Sequence, residues 1–232
     1  MTAPVRLDVF SDYLCPWCYN AAVRLREIQQ AYGDRVRVHW RTFPLIPGEQ
    51  PDRRRRVTQK TRDGWQRIGA EEPRACFAPP EVDAPLPSSS IPALTAAKCA
   101  ERQGEAAFER FHARLFAALF HDHLDIARPD VLRTLARETG LDLARFEADY
   151  AGEAYEAVLR DCAEGAAWFG VSGLPTVILN EKLSLVGAVP VERYRLLIDW
   201  ILAGEPGGVI PLAPETERTP VGQSAVGARE TG

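Results

Sequence analysis

The sequence predicts an α/β fold in which a small sheet is interrupted by a long helical insertion. Three observations predict it. Residues up to about 43 read as strand, helix, strand; the span from Ala93 to Phe169 carries apolar residues at helical spacing; strand character returns at Leu174.

Val5 to Phe10 is a short apolar run with β-branched and aromatic members, and Ser11-Asp12-Tyr13-Leu14 breaks it, so a strand feeds a turn. From Tyr19 to Tyr32, Ala22, Val23, Leu25, Ile28 and Ala31 fall near helical spacing, and Gly33 stands where a C-terminal cap belongs. Val36, Val38 and Trp40 then alternate with Arg35, Arg37, His39 and Arg41, which predicts a second strand. Prolines crowd the segment from Pro44 to Pro92, with one helix expected near Asp52 to Ile68. The run Arg53-Arg54-Arg55-Arg56 within it is read as solvated surface.

In the helical span, Phe108, Phe111, Leu115, Phe116, Leu119 and Phe120 make one stripe, expected to be core. Pro129-Asp130 opens the next helix, which stops at Gly140; Leu143 and Phe146 belong to a third. Tyr155, Val158, Leu159, Cys162, Ala166 and Phe169 are expected to line the inner face of a fourth. Leu174 to Asn180 is again strand, Leu183 to Val186 its partner, and Pro190 opens a last helix that buries Tyr194, Leu197, Ile198 and Ile201 before Gly204. The expected division is residues 1–45 and 170–204 for the sheet, 46–169 for linker and helical subdomain, and 205–232 for a disordered tail rich in Gly, Pro, Ser and Thr.

Composition narrows the functional classes. The chain has 232 residues, 46% apolar and 26% charged, in the range of globular proteins. A net charge of −4 argues against nucleic acid as a partner. No run is long and apolar enough for a membrane helix and the amino terminus does not read as a secretory signal, so the expected location is the cytoplasm. Five cysteines, an odd number, do not suggest a disulfide scaffold; their chemistry should be catalytic, metal-binding or absent.

Cys15-Pro16-Trp17-Cys18 lies where the first strand hands over to the first helix. Unpaired N–H groups and the macrodipole at a helix N-terminus favour an anion, which activates a thiol placed there. Cys18, one turn on, is positioned to attack a mixed disulfide formed at Cys15 and release the substrate. Pro16 suits the first helical turn, and Trp17 offers a flat apolar surface on which a substrate side chain can rest.

Two segments, Phe10-Ser11-Asp12-Tyr13-Leu14-Cys15-Pro16-Trp17-Cys18-Tyr19 and Gly170-Val171-Ser172-Gly173-Leu174-Pro175-Thr176, resemble the signatures of the DsbA-like thioredoxin superfamily, specifically its FrnE-like cytoplasmic branch. The resemblance spans most of residues 5 to 203. It implies a thioredoxin-like fold with a helical insertion and thiol–disulfide exchange, without a cofactor, on proteins or small molecules that carry a disulfide or dithiol. It also implies that Pro175 is a cis-proline facing the cysteine pair, with the backbone of Leu174 free to pair with an extended substrate. Trp17 stands where the strongly oxidising periplasmic member has histidine, so a less oxidising poise is expected. The buried acid that precedes the first cysteine by six residues in thioredoxin is displaced here: Val9 holds that offset and Asp8 lies one earlier, as a proton relay or as an exposed strand residue.

Other candidates rank lower. Cys99 and Cys162 fit packing roles, and Cys76 is a second thiol of open purpose. No metal site is expected: His121-Asp122-His123 reads as solvated loop, while His39 and His112 read as surface or boundary residues. Neither a nucleophile elbow nor a phosphate loop is present. The leading expectation is a dithiol–disulfide oxidoreductase or isomerase. Its alternatives are a glutathione-dependent isomerase or transferase of the same superfamily, whose members carry serine for the active cysteine, and a non-enzymatic peptide-binding module.

Overall fold

The computed structural model describes residues 3–48 and 55–205. The expected tail, apart from Glu205, and the start of the arginine run lie outside the described residues. A four-stranded sheet is formed by β1 (Val5–Ser11), β2 (Val36–Thr42), β3 (Thr176–Leu179) and β4 (Leu183–Val186), in the order β2-β1-β3-β4. β1 pairs parallel with β2, and the helix α1 (Pro16–Tyr32) makes the crossover that parallel pairing requires. β3 runs antiparallel to both β1 and β4, so the sheet is mixed.

Between β2 and β3 the chain forms α2 (Gln59–Ala70), α3 (Ile91–Glu101), α4 (Glu105–Phe120), α5 (Pro129–Glu138), α6 (Leu143–Ala151) and α7 (Ala154–Ala167); α8 (Val191–Leu202) follows the sheet. α2 begins later than the expected Asp52 because Thr58 caps it, its hydroxyl accepting the Thr61 N–H.

Strand alternation divides the core. Val5, Leu7 and Val9 of β1 pack with Leu25 and Ile28 of α1 and with Tyr194, Leu197 and Ile198 of α8. The expected stripe of α4 is buried throughout, against Leu94 of α3, Leu132 of α5, Phe146 of α6 and Val158 of α7. Burial of each such side chain contributes roughly 1.5 to 3 kcal/mol. Tyr13, Cys15, Cys18 and Tyr19 belong to this second cluster, so the cysteine motif sits on the seam between the sheet layer and the helical layer.

One expected face is wrong. α7 buries Ala154, Val158, Asp161 and Gly165, while Tyr155 and Leu159 are exposed and Cys162 is half-buried. Two contacts set this rotation. Asp161 is pulled inward by Lys98 at 2.8 Å, Arg41 at 2.9 Å and the Thr42 N–H at 3.0 Å. Gly165 packs so close to Phe10 that a Cβ there would come within 2.7 Å of the ring. A buried carboxylate with three donors outweighs the hydrophobic pattern of the opposite face.

Candidate active site

The site is assembled where β1 ends. Asp12 caps the turn after β1: one carboxylate oxygen accepts the Leu14 N–H at 2.7 Å and the other the Leu45 N–H at 2.6 Å, and its backbone carbonyl accepts the Cys15 N–H at 3.1 Å. A single buried side chain therefore ties the loop after β2 to the residues that present Cys15. Burial raises the Asp12 carboxyl above the usual range, with the Leu45 and Leu14 N–H groups and Ser90 opposing that shift.

Cys15 is the N-cap of α1, with extended backbone (φ −94°, ψ 113°), and Pro16 follows in the first turn. The Cys15 carbonyl accepts the N–H groups of Cys18 at 3.0 Å and Tyr19 at 3.4 Å, which opens the helix. Its side chain lies beside the helix N-terminus, where negative charge is favoured. Cys15 is 5% exposed and Cys18 is fully buried.

The two cysteines are not joined by a disulfide, and their thiols are within hydrogen-bonding reach of one another. Burial pushes the Cys18 thiol well above its ordinary value, and neighbouring Cys15 adds to this; the Ser11 hydroxyl and the Asp12 backbone N–H act in the opposite direction. The pair therefore divides into a nearly buried sulfur at the helix end and a fully buried, protonated thiol beneath it.

The loop before β3 closes the site from the other side. The Cys15 thiol points at the Leu174 carbonyl, Sγ to O 3.8 Å, and the Leu174–Pro175 peptide bond is cis. The Pro175 carbonyl accepts the Gly187 N–H at 2.7 Å and the Thr176 hydroxyl donates to the Gly173 carbonyl at 2.7 Å, fixing this loop to the sheet. Pro16 is half-buried, as is Trp17, which packs against the helical core.

Asp8 is placed elsewhere. It is fully buried, so it is not the exposed strand residue that was one expectation, but its carboxylate engages Arg6 at 2.7 Å and Arg41 at 3.3 Å. It alternates with Leu7 and Val9, which face α1, and so lies on the opposite face of the sheet from the helix that carries Cys18. The structure does not bring Asp8 to the cysteines.

His112 of α4 is buried, not a surface or boundary residue. The Tyr13 hydroxyl and its Nδ1 share a hydrogen bond of 2.7 Å, and burial together with Arg26 lowers its pKa to about 3, so the ring is neutral. Cys99 is buried in α3 and pushed up to about 12, whereas Cys76 is exposed. His121 pairs with Asp122 at 2.8 Å while His123 turns to the Ala78 carbonyl at 3.1 Å. Among the described residues, no group of three or more His, Cys, Asp or Glu side chains is arranged to hold a metal ion, and no helix is long and apolar enough to cross a membrane.

Ser11 and Asp12 were missed as site residues although both lie inside the motif. The aspartate-turn signal at Asp12 was legible; the Leu45 loop that it holds was not, being 33 residues away.

The profile of the family described as the DSBA-like thioredoxin domain matches residues 6–199. The ClpXP adapter protein SpxH of Halalkalibacterium halodurans is 25% identical over 222 residues, covering 91% of this chain and 72% of that protein. Among solved structures, the one reported as "probable DsbA oxidoreductase" from Streptomyces coelicolor superposes with a TM-score of 0.71 at 24% identity, covering 90% of this chain and 93% of that one. The cytosolic disulfide reductase DsbM from Pseudomonas aeruginosa, solved with GSH, gives 0.59 at 23% identity over 86% of this chain and 97% of that one. At these identities the two solved structures establish the thioredoxin fold with its helical insertion.

Proposed function

We propose that this chain, which belongs to the DSBA-like thioredoxin domain family, exchanges dithiols for disulfides in the cytoplasm, with Cys15 as nucleophile and Cys18 as resolving thiol. The observation that carries this reading is the position of Cys15: N-cap of α1, sulfur facing the Leu174 carbonyl beside cis-Pro175, with Cys18 one turn beneath.

In the reducing direction the Cys15 thiolate attacks one sulfur of a substrate disulfide, forming a mixed disulfide and releasing the other sulfur as thiolate. Cys18 then gives up its proton and attacks the Cys15 sulfur. The Cys15–Cys18 disulfide forms, the second substrate sulfur leaves as thiolate, and the substrate has gained two electrons. Two external thiols restore the dithiol, the first forming a mixed disulfide at Cys15 and the second releasing it as the external disulfide, and the oxidising and isomerising directions use the same intermediates.

Pro16 and Trp17 form the surface beside the nucleophile, and the edge at Leu174 and Pro175 receives an extended substrate segment. The fold shared with DsbM, which was solved with GSH, supports glutathione as the thiol partner. The two signature segments support assignment to the FrnE-like branch. The domain division follows: residues 1–45 and 170–204 form the catalytic unit and 46–169 the linker and cover.

The match to SpxH, described as a ClpXP adapter, favours a second reading in which the same groove binds a peptide without turnover. Turnover of glutathione disulfide and of insulin separates the two. Exchange abolished by Cys15→Ser supports the oxidoreductase; undiminished peptide binding in Cys15→Ala, Cys18→Ala, with no wild-type turnover, supports the adapter. Glutathione-dependent turnover that survives Cys18→Ala supports the isomerase or transferase alternative.

A further inference from the structure

A cavity of about 260 Å³ is lined, among the described residues, by Leu14, Leu45, Ile46 and Arg55. Leu14 immediately precedes Cys15, and the backbone N–H groups of Leu14 and Leu45 hang from the two oxygens of Asp12. The Ile46 N–H is taken by the Ser90 hydroxyl at 3.0 Å, and Ser90 in turn donates its own N–H to the Ile46 carbonyl at 3.0 Å. Two walls of this cavity are therefore mounted on the carboxylate whose residue also holds the Cys15 N–H.

Three of the lining side chains are apolar and one is cationic. Arg55 is exposed at the rim, and among the described residues its guanidinium spends one donor, Nη1 to the Pro87 carbonyl at 3.3 Å. No ion pair is made by Arg55 among the described residues, in contrast to Arg56, which pairs with Asp83 at 3.3 Å. The acidic group nearest in influence, Asp12, is sealed behind the leucine N–H groups that it accepts. A planar fork of donors that makes no ion pair among the described residues, over an apolar floor, matches a carboxylate attached to a small apolar body.

We propose that the Leu14–Leu45–Ile46–Arg55 cavity is a specificity subsite for substrates that carry a carboxylate close to the reacting disulfide, with Arg55 receiving that carboxylate. This rests on the exchange reading of Cys15 and adds a substrate class to it. An acidic peptide and a small anionic thiol present the same carboxylate chemistry to Arg55.

The test measures the second-order rate at which the reduced protein attacks two small disulfides, dianionic 5,5′-dithiobis(2-nitrobenzoate) and neutral 4,4′-dithiodipyridine; every protein compared, the otherwise wild-type one included, carries Cys76→Ser so that this exposed thiol does not contribute. Arg55→Gln is expected to slow the dianionic probe about fivefold, the scale of one rim-exposed ion pair, and the neutral probe less than about twofold. Arg55→Lys, which keeps the charge, should recover most of the rate. Equal slowing of both probes, or no slowing of either, overturns the subsite while leaving exchange at Cys15 intact. If the reduced wild type attacks neither probe, the exchange reading itself fails. Peptide disulfides with Glu or Gln beside the cysteine, and glutathione disulfide, then separate the peptide source from the small thiol by which one loses rate in Arg55→Gln.

Discussion

The Cys15 sulfur lies 3.8 Å from the carbonyl oxygen of Leu174, a residue 159 positions further along the chain. The end of β1 and the start of β3, neighbouring strands in the middle of the sheet, meet across one thiol although the helical insertion separates them in sequence. β1 delivers Cys15 to the head of α1, and β3, paired antiparallel with β1, delivers Leu174 and Pro175 to the same edge.

The buried state of Cys18 predicts the pH dependence of exchange. Its thiol is held well above its ordinary value, chiefly by burial, so little thiolate exists at neutral pH and resolution of the mixed disulfide should accelerate about tenfold per pH unit from 7 to 9. Ser11→Ala removes a hydroxyl that stabilises this thiolate. Stopped-flow measurement should find resolution slowed roughly three- to tenfold in Ser11→Ala, with the initial attack by Cys15 unchanged.

His112 predicts a pH dependence of stability. Its folded pKa of about 3 lies below the ordinary histidine value of 6.5, so the unfolded chain binds the extra proton between these values and stability falls as the pH drops below 6.5. By pH 5 this amounts to about 2 kcal/mol. The difference in unfolding free energy between pH 7 and pH 5 should shrink by that amount in His112→Gln, measured by urea denaturation; an unchanged difference would assign the acid sensitivity to other groups.

Arg24 anchors α1 from beneath the active site. It is buried, pairs with Glu72 at 3.1 Å, and donates to the carbonyls of Ala188, Val189 and Glu71. Arg24→Met leaves Glu72 and three carbonyls short of a donor, and should cost about 3 kcal/mol, lowering Tm by several degrees. A calorimetric Tm within one or two degrees of wild type, by the same conversion, would show that water replaces the guanidinium.

Much of the fold was legible in the sequence because it is written locally. The strand that ends at the motif, the helix stop at Gly33 and the β3–β4 hairpin at Asn180-Glu181 follow from short patterns, and β4 spans Leu183–Val186 as expected. The cysteine pair was legible for the same reason, its spacing and its place at a strand-to-helix junction being local features. What was hidden depends on distant partners. Tyr155 and Leu159 carry the hydrophobic signal of α7, yet the helix turns Asp161 inward because Lys98 and Arg41, on other elements, neutralise it. Asp8 reads as a candidate relay by offset alone, and its ion pairs with Arg6 and with Arg41 of β2 show that its carboxylate is already engaged. Leu45 is tied to the site through the Asp12 carboxylate, which no spacing within the motif encodes.

The poise of the couple follows from Trp17, which brings no positive charge to the end of α1. A redox titration should place the Cys15–Cys18 couple below the strongly oxidising value of about −120 mV known for DsbA, and Trp17→His should move it toward that value. A wild-type couple already at that extreme would remove Trp17 as the cause.

The assignment of Cys15 as nucleophile is tested most directly by mass spectrometry of Cys18→Ser after incubation with a peptide disulfide at neutral pH, with Cys15→Ser, Cys18→Ser as the control for the exposed Cys76. The structure predicts one stable adduct, mapped to Cys15 and absent from the control. Modification confined to Cys76, or equal labelling of both proteins, would contradict it.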